Sequence, residues 1–213
     1  MAMQKFTRVS GTAAPMMKAN IDTDVIIPAK RLVGNKREDL AGFAFEAHRY
    51  EPDGSDNPDF VLNKPRYRGA SILIAGENFG CGSSRESAVW AMAGFGFRCV
   101  IAPGFGDIFY NNAFQNGMLL ICLPHNQVER FAAELESEAA ASMTVDLQKQ
   151  VITAPSGAET RFEIDAERRQ ALLEGRDEIG MTLARDADIH AFQERDRAGR
   201  PWIYETSPSK PAA

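Results

Sequence analysis

Residues 76–86, Gly-Glu-Asn-Phe-Gly-Cys-Gly-Ser-Ser-Arg-Glu, gather two hydroxyls and a guanidinium at the end of a glycine-rich turn. An apolar run, Ser71-Ile72-Leu73-Ile74-Ala75, precedes the turn, and a helical pattern over residues 88–94 follows it. The segment therefore reads as strand, turn and helix start, with the helix opening at about Ser84. Backbone N–H groups at a helix start attract anions. Arg85 can grip a carboxylate through two parallel hydrogen bonds, which a lysine cannot do. Ser83 can serve as a base only as an alkoxide, an anion that a helix N-terminus and a neighbouring arginine would stabilise. Such a set suits holding a small carboxylate and moving a proton. The four residues Ser83-Ser84-Arg85-Glu86 also fit a capping box, with Ser83 as the cap and Glu86 three residues on. Both readings stand at this stage, because a capped helix start also preorganises a site. Glu86 reads as a structural partner rather than an acid catalyst.

A second polar cluster, Asp22-Thr23-Asp24, precedes a β-branched run. By composition it is local backbone capping in a loop that feeds a short strand ending near Ile27. Cys81, Cys99 and Cys122 form no C-x-x-C pair, and their spacing fits neither a zinc site nor a self-contained iron–sulfur site. Cys99 and Cys122 lie in apolar runs and are expected to be buried small hydrophobes. His48, His125 and His190 are scattered and suggest no metal-ligand constellation.

Positioning these groups requires a scaffold, and the centre of the chain supplies an alternating one. Strands are expected over residues 70–75, 98–102 and 118–123, each followed by a helix, over about 84–94, 107–115 and 127–141. That alternation argues for βαβ units and a parallel sheet. The third helix shows the clearest stripe, with Val128, Phe131, Ala132, Leu135 and Ala139 on one face. Gly117 is placed to end the second helix. An early strand is expected within residues 6–17, and Gly34-Asn35 marks a turn. After Ser142 the pattern gives short strands over 144–147, 150–153 and 160–164, then helices over 166–174 and 183–194. The fold class is α/β. One domain over residues 1–198 and a C-terminal tail over 199–213 suit a chain of 213 residues.

The net charge of −5 gives no reason to expect nucleic acid as a partner. No apolar run approaches membrane-spanning length, and the first residues lack a signal-peptide apolar region, so a cytoplasmic protein is expected.

Four separated segments also carry a family resemblance. They are Gly80-Cys81-Gly82-Ser83-Ser84-Arg85-Glu86, residues 20–28 (Asn-Ile-Asp-Thr-Asp-Val-Ile-Ile-Pro), residues 59–63 (Asp-Phe-Val-Leu-Asn) and residues 101–109 (Ile-Ala-Pro-Gly-Phe-Gly-Asp-Ile-Phe). Together they resemble the small subunits of 3-isopropylmalate dehydratase, in the aconitase superfamily, from about Phe6 to about Phe192. The resemblance implies a swivelling β/β/α domain and a hydro-lyase that interconverts 2- and 3-isopropylmalate, in leucine biosynthesis. It implies Ser83 and Arg85 as catalytic residues and Ser84, Arg37 and Asp24 as substrate-binding residues. Arg37 would come from a mobile loop that also holds Arg31 and Lys36. No cofactor would be bound by this chain. A [4Fe–4S] cluster would sit in a separate large subunit, the expected partner, and a small dicarboxylate would be the substrate.

Two departures leave the substrate open. Ser87 stands where the family usually has histidine, and Glu38-Asp39-Leu40-Ala41 replaces a common Thr-Gly-Phe-Gly. A paralogue acting on citraconate/methylmalate, dimethylmalate or a homoaconitate-like acid is the near alternative. A non-catalytic anion-binding module is the other class, since many phosphate sites use a glycine-rich turn before a helix. The loop lacks a P-loop ending and a full G-x-G-x-x-G. A serine hydrolase has little support, with no G-x-S-x-G elbow in the chain.

Overall fold

The computed structural model describes residues 3–82, 85–137 and 141–204. Contacts divide the chain into two compact units, Met1–Gly175 and Arg176–Ala213. In chain order the larger unit contains β1 (Arg8–Met16), α1 (Thr23–Ile26), α2 (Glu46–Arg49), β2 (Ile72–Ala75), α3 (Ser87–Phe95), β3 (Cys99–Ala102), α4 (Asp107–Gln115), β4 (Leu119–Cys122), α5 (His125–Ser137), β5 (Ser142–Asp146), β6 (Val151–Thr153), β7 (Glu159–Arg161) and α6 (Ala166–Glu174). Tight turns of 3-10 helix, including Arg37–Phe43, fill much of the stretch between α1 and β2.

The seven strands form one sheet in the order β4-β3-β2-β1-β5-β6-β7. β1 joins two halves of different character. Its residues 8–12 pair antiparallel with β5, while residues 13–16 pair parallel with β2. Its burial follows the pairing: the first five residues are exposed or half-buried and the last four are buried. β2 and β3 are buried throughout and consist of small or branched apolar residues, as strands covered on both faces must be. α5 packs across β1, β2 and β3 through Val128, Phe131, Ala132 and Leu135. The parallel βαβ core and the 166–174 helix are as expected; Ala139, assigned to the same stripe, lies outside the described residues.

Three local expectations need correction. The segment after Asp22 is a short helix, not a strand, because Val25 N donates to Asp22 Oδ1 at 2.8 Å and caps it. The helix expected from Ser84 begins at Ser87, with Glu86 at its N-cap position. Ala141 is outside α5 and leads into β5.

In the smaller unit, α7 (Glu178–Leu183) and α8 (Asp186–Gly199) stand where one helix over 183–194 was expected. Asp177 starts α7 by accepting from Gly180 N at 2.8 Å. Asp196 of α8 accepts from Tyr204 Oη at 2.8 Å. Among the described residues no helix is long and apolar enough to cross a membrane.

Candidate active site

The site grows out of the C-terminal ends of the parallel strands, where open α/β sheets place their ligand-binding loops. Three loops leave β1, β2 and β3 there and continue the order of the sheet as an irregular ladder. The loop after β2 lies in the middle. On one side Gly80 N donates to Ile21 O at 2.7 Å and Thr23 N to Cys81 O at 3.0 Å. On the other side Phe79 N donates to Gly104 O at 3.1 Å and Gly106 N to Phe79 O at 2.9 Å. Isolated parallel bridges, Asp22 with Cys81 and Phe79 with Phe105, mark the same alignment. The amides of Phe79 and Gly80 are thus engaged by neighbouring carbonyls rather than turned to an anion. That weakens the comparison with a phosphate-binding loop.

This ladder brings Asp24 to Arg85 across 61 residues of sequence. Arg85 Nη2 donates to Asp24 Oδ1 at 2.8 Å. The arginine side chain is 29% exposed and the aspartate 56%. Asp22, two residues earlier, caps α1 instead. The capping reading of the Asp-Thr-Asp turn therefore describes Asp22, and Asp24 has a different environment. Ser83 and Ser84 lie outside the described residues.

Glu86 stands at the N-cap position of α3, and its Oε1 accepts from Asn116 Nδ2 at 2.7 Å. Asn116, the C-cap of α4, also accepts at Oδ1 from Arg37 Nη2 at 2.9 Å and from Trp90 Nε1 at 3.1 Å. The Arg37 guanidinium lies over the Trp90 ring, 4.9 Å from its centroid. Arg31 faces elsewhere: its Nε donates to Glu46 Oε2 at 2.7 Å, and its guanidinium covers Phe43. Burial pushes the Glu46 carboxyl up, but hydrogen bonds from Lys30 and Arg31 outweigh it and leave the pKa below its ordinary value. Of the three basic residues in that stretch, Arg37 is the one tied to α3 and α4.

Ser87 is 6% exposed and its Oγ has no hydrogen-bond partner. Leu40 is buried, and Ala41 presses on Gly94 of α3. The segment that departs from the family pattern is therefore partly a packing element. Neither Asn116 nor Trp90 stood out in the sequence. The Asn116-Gly117 pair carries a helix-stop signal, and nothing local shows that its side chain reaches Arg37, 79 residues away.

The cysteines do not make a cluster ligand set. Cys81 is half-buried in the central loop, Cys99 is buried in β3 and Cys122 is exposed at the end of β4. Cys122 was expected to be buried. It ends β4, which among the described residues lies at the edge of the sheet beside β3, and loses cover there. Burial still pushes the Cys122 thiol up, and the Cys99 thiol much further. Among the described residues no group of three or more His, Cys, Asp or Glu side chains could hold a metal ion.

This sheet and its loops define a class that the sequence comparisons recover. The aconitase C-terminal domain family matches residues 3–126, and the LeuD_N family matches residues 129–166. A crystal structure of 3-isopropylmalate dehydratase (leuD) from Methanocaldococcus jannaschii superposes with a TM-score of 0.63 at 26% identity, covering 87% of this chain and 99% of that one. The 3-isopropylmalate dehydratase small subunits of Afipia carboxidovorans and Dinoroseobacter shibae are each 52% identical over 94% of this chain and 100% of their own length. The chain belongs to the family of 3-isopropylmalate dehydratase small subunits.

Substituting Arg85 is the most direct probe of the paired site. Arg85→Lys keeps the charge but loses the planar fork. In the assembled enzyme it is expected to lower kcat/KM about a hundredfold, largely through kcat, as loss of a charge-assisted pair that strengthens in the transition state would. Steady-state kinetics on the assembled enzyme check this; a change under threefold would remove Arg85 from the substrate contacts.

Proposed function

We propose that this chain is the small subunit of a [4Fe–4S]-dependent hydro-lyase that interconverts 2- and 3-isopropylmalate by dehydration and rehydration, in the cytoplasm. The juxtaposition of Asp24 and Arg85 beyond the C-terminal ends of β1 and β2 is the observation that carries the reading. The proton to be removed sits on a carbon beside a carboxylate. That carbon acid is weak, so negative charge accumulates on the carboxylate in the transition state. Arg85 holds the carboxylate at that point and lowers the cost of the Ser83 alkoxide. Ser83 takes the proton and returns it on rehydration. Asp24 fixes one edge of the Arg85 guanidinium and borders the bound acid. Ser84 and Arg37 complete recognition of the substrate. The three cysteines stand in three separate settings, so the cluster is assigned to the large subunit, and departure of the hydroxyl falls to groups outside this chain.

The test is anaerobic reconstitution with a cluster-loaded large subunit from the same source, each subunit alone serving as control. Hydration is expected only in the mixture, with the isopropyl acid preferred across a panel of unsaturated dicarboxylates. Preference for citraconate or a dimethyl acid would assign the chain to a paralogue. A folded pair that neither associates nor hydrates would remove the enzyme reading.

A further inference from the structure

We infer that Asn116 is the positioning residue for Arg37, fixing where that guanidinium meets the substrate. The inference rests on the reading of Arg37 as a substrate-binding residue. Arg37 is an exposed side chain on a 3-10 turn, and an exposed arginine samples many rotamers. Here two contacts restrict it, the Asn116 carbonyl at 2.9 Å and the face of Trp90 beneath it, and Trp90 is itself held by a hydrogen bond to the same carbonyl. The amide has one possible orientation. Its Oδ1 faces two groups that can only donate, Arg37 and Trp90 Nε1. Its Nδ2 faces two that accept, Glu86 Oε1 at 2.7 Å and Asn112 O at 2.9 Å. Glu86 is the residue after Arg85, so one side chain ties the loop arginine to the start of α3 beside the second arginine. Asparagine is specific to this task. An aspartate would set a carboxylate against Glu86, and an alanine would release all four partners.

The experiment is a double-mutant cycle in the assembled two-subunit enzyme, with KM and kcat measured separately. Asn116→Ala is expected to raise KM about tenfold with kcat within threefold, the cost of reordering one long side chain. Adding Asn116→Ala to Arg37→Ala is expected to raise KM no further than Arg37→Ala alone, because both remove the same interaction. A merely structural role for Asn116 would give additive effects, and additivity or an unchanged KM in Asn116→Ala overturns the proposal. Arg37→Ala with a normal KM would overturn the Arg37 reading, and the proposal with it. Asn116→Asp covers the case in which the alanine variant does not fold. Its carboxylate can bridge to Glu86 only when one of the two is protonated. The ratio of its kcat/KM to that of the parent is expected to rise as pH falls, and a flat ratio overturns the proposal.

Discussion

Ser83→Ala is expected to lower kcat of the assembled enzyme by about 10³-fold, with KM and subunit assembly little changed. The substitution removes one oxygen. If that oxygen takes the proton, solvent exchange of the substrate's acidic hydrogen should disappear together with turnover. If it only capped a helix, the loss would be about 1 kcal/mol of stability with kcat intact. α3 starts at Ser87, and Glu86 Oε1 accepts from Asn116 Nδ2. Steady-state hydration kinetics, isotope exchange and a melting curve on one preparation distinguish the outcomes. A kcat within threefold of the parent would leave the serine as a structural residue and require another base.

The reading of this site from sequence succeeded where the signal was local. An apolar run, a glycine-rich turn and a helical pattern give β2, its loop and α3, because burial and turn chemistry act over a few residues. The same local logic failed at residues 23–26. There β-branched residues favour a strand, yet one hydrogen bond from Val25 N to Asp22 closes a turn of helix. The turn also separates the two aspartates. Residues two apart on a helix point to widely different sides, so Asp22 serves the backbone while Asp24 reaches Arg85. The pairing of Asp24 with Arg85 was legible only through the family resemblance, since it depends on how two loops align beyond the strands. The cradle around Arg37 was not legible at all. Asn116, Trp90 and Glu86 meet only once the 37–43 turn and α4 have packed against α3.

Gly80→Ala is expected to destabilise the chain by roughly 2–5 kcal/mol, the sum of a left-handed backbone cost and an overpacking cost. Gly80 has φ +72°, and a Cβ placed there would stand 2.3 Å from Cγ of Phe109. Phe109 cannot swing away cheaply, for it is buried and packs edge-on against Phe79 with ring centroids 5.6 Å apart. The backbone cannot retreat either. Gly80 N is held by Ile21 O at 2.7 Å, and the Gly106 backbone passes so close that a Cβ at Gly106 would lie 2.5 Å from Gly80 O. For a chain of this size the expected loss is on the order of 10 °C in Tm. Gly54→Ala provides the control. Its φ is +87°, but a Cβ there meets nothing within 4 Å, so it carries only the backbone cost, about 1–2 kcal/mol. Thermal melts of the two variants side by side isolate the clash from the torsion. Equal melting temperatures would mean that the ladder yields at Phe109 and does not rigidly position Arg85. A large gap would show that three aligned loops hold the segment leading to Arg85, with glycine required where the middle loop passes Phe109.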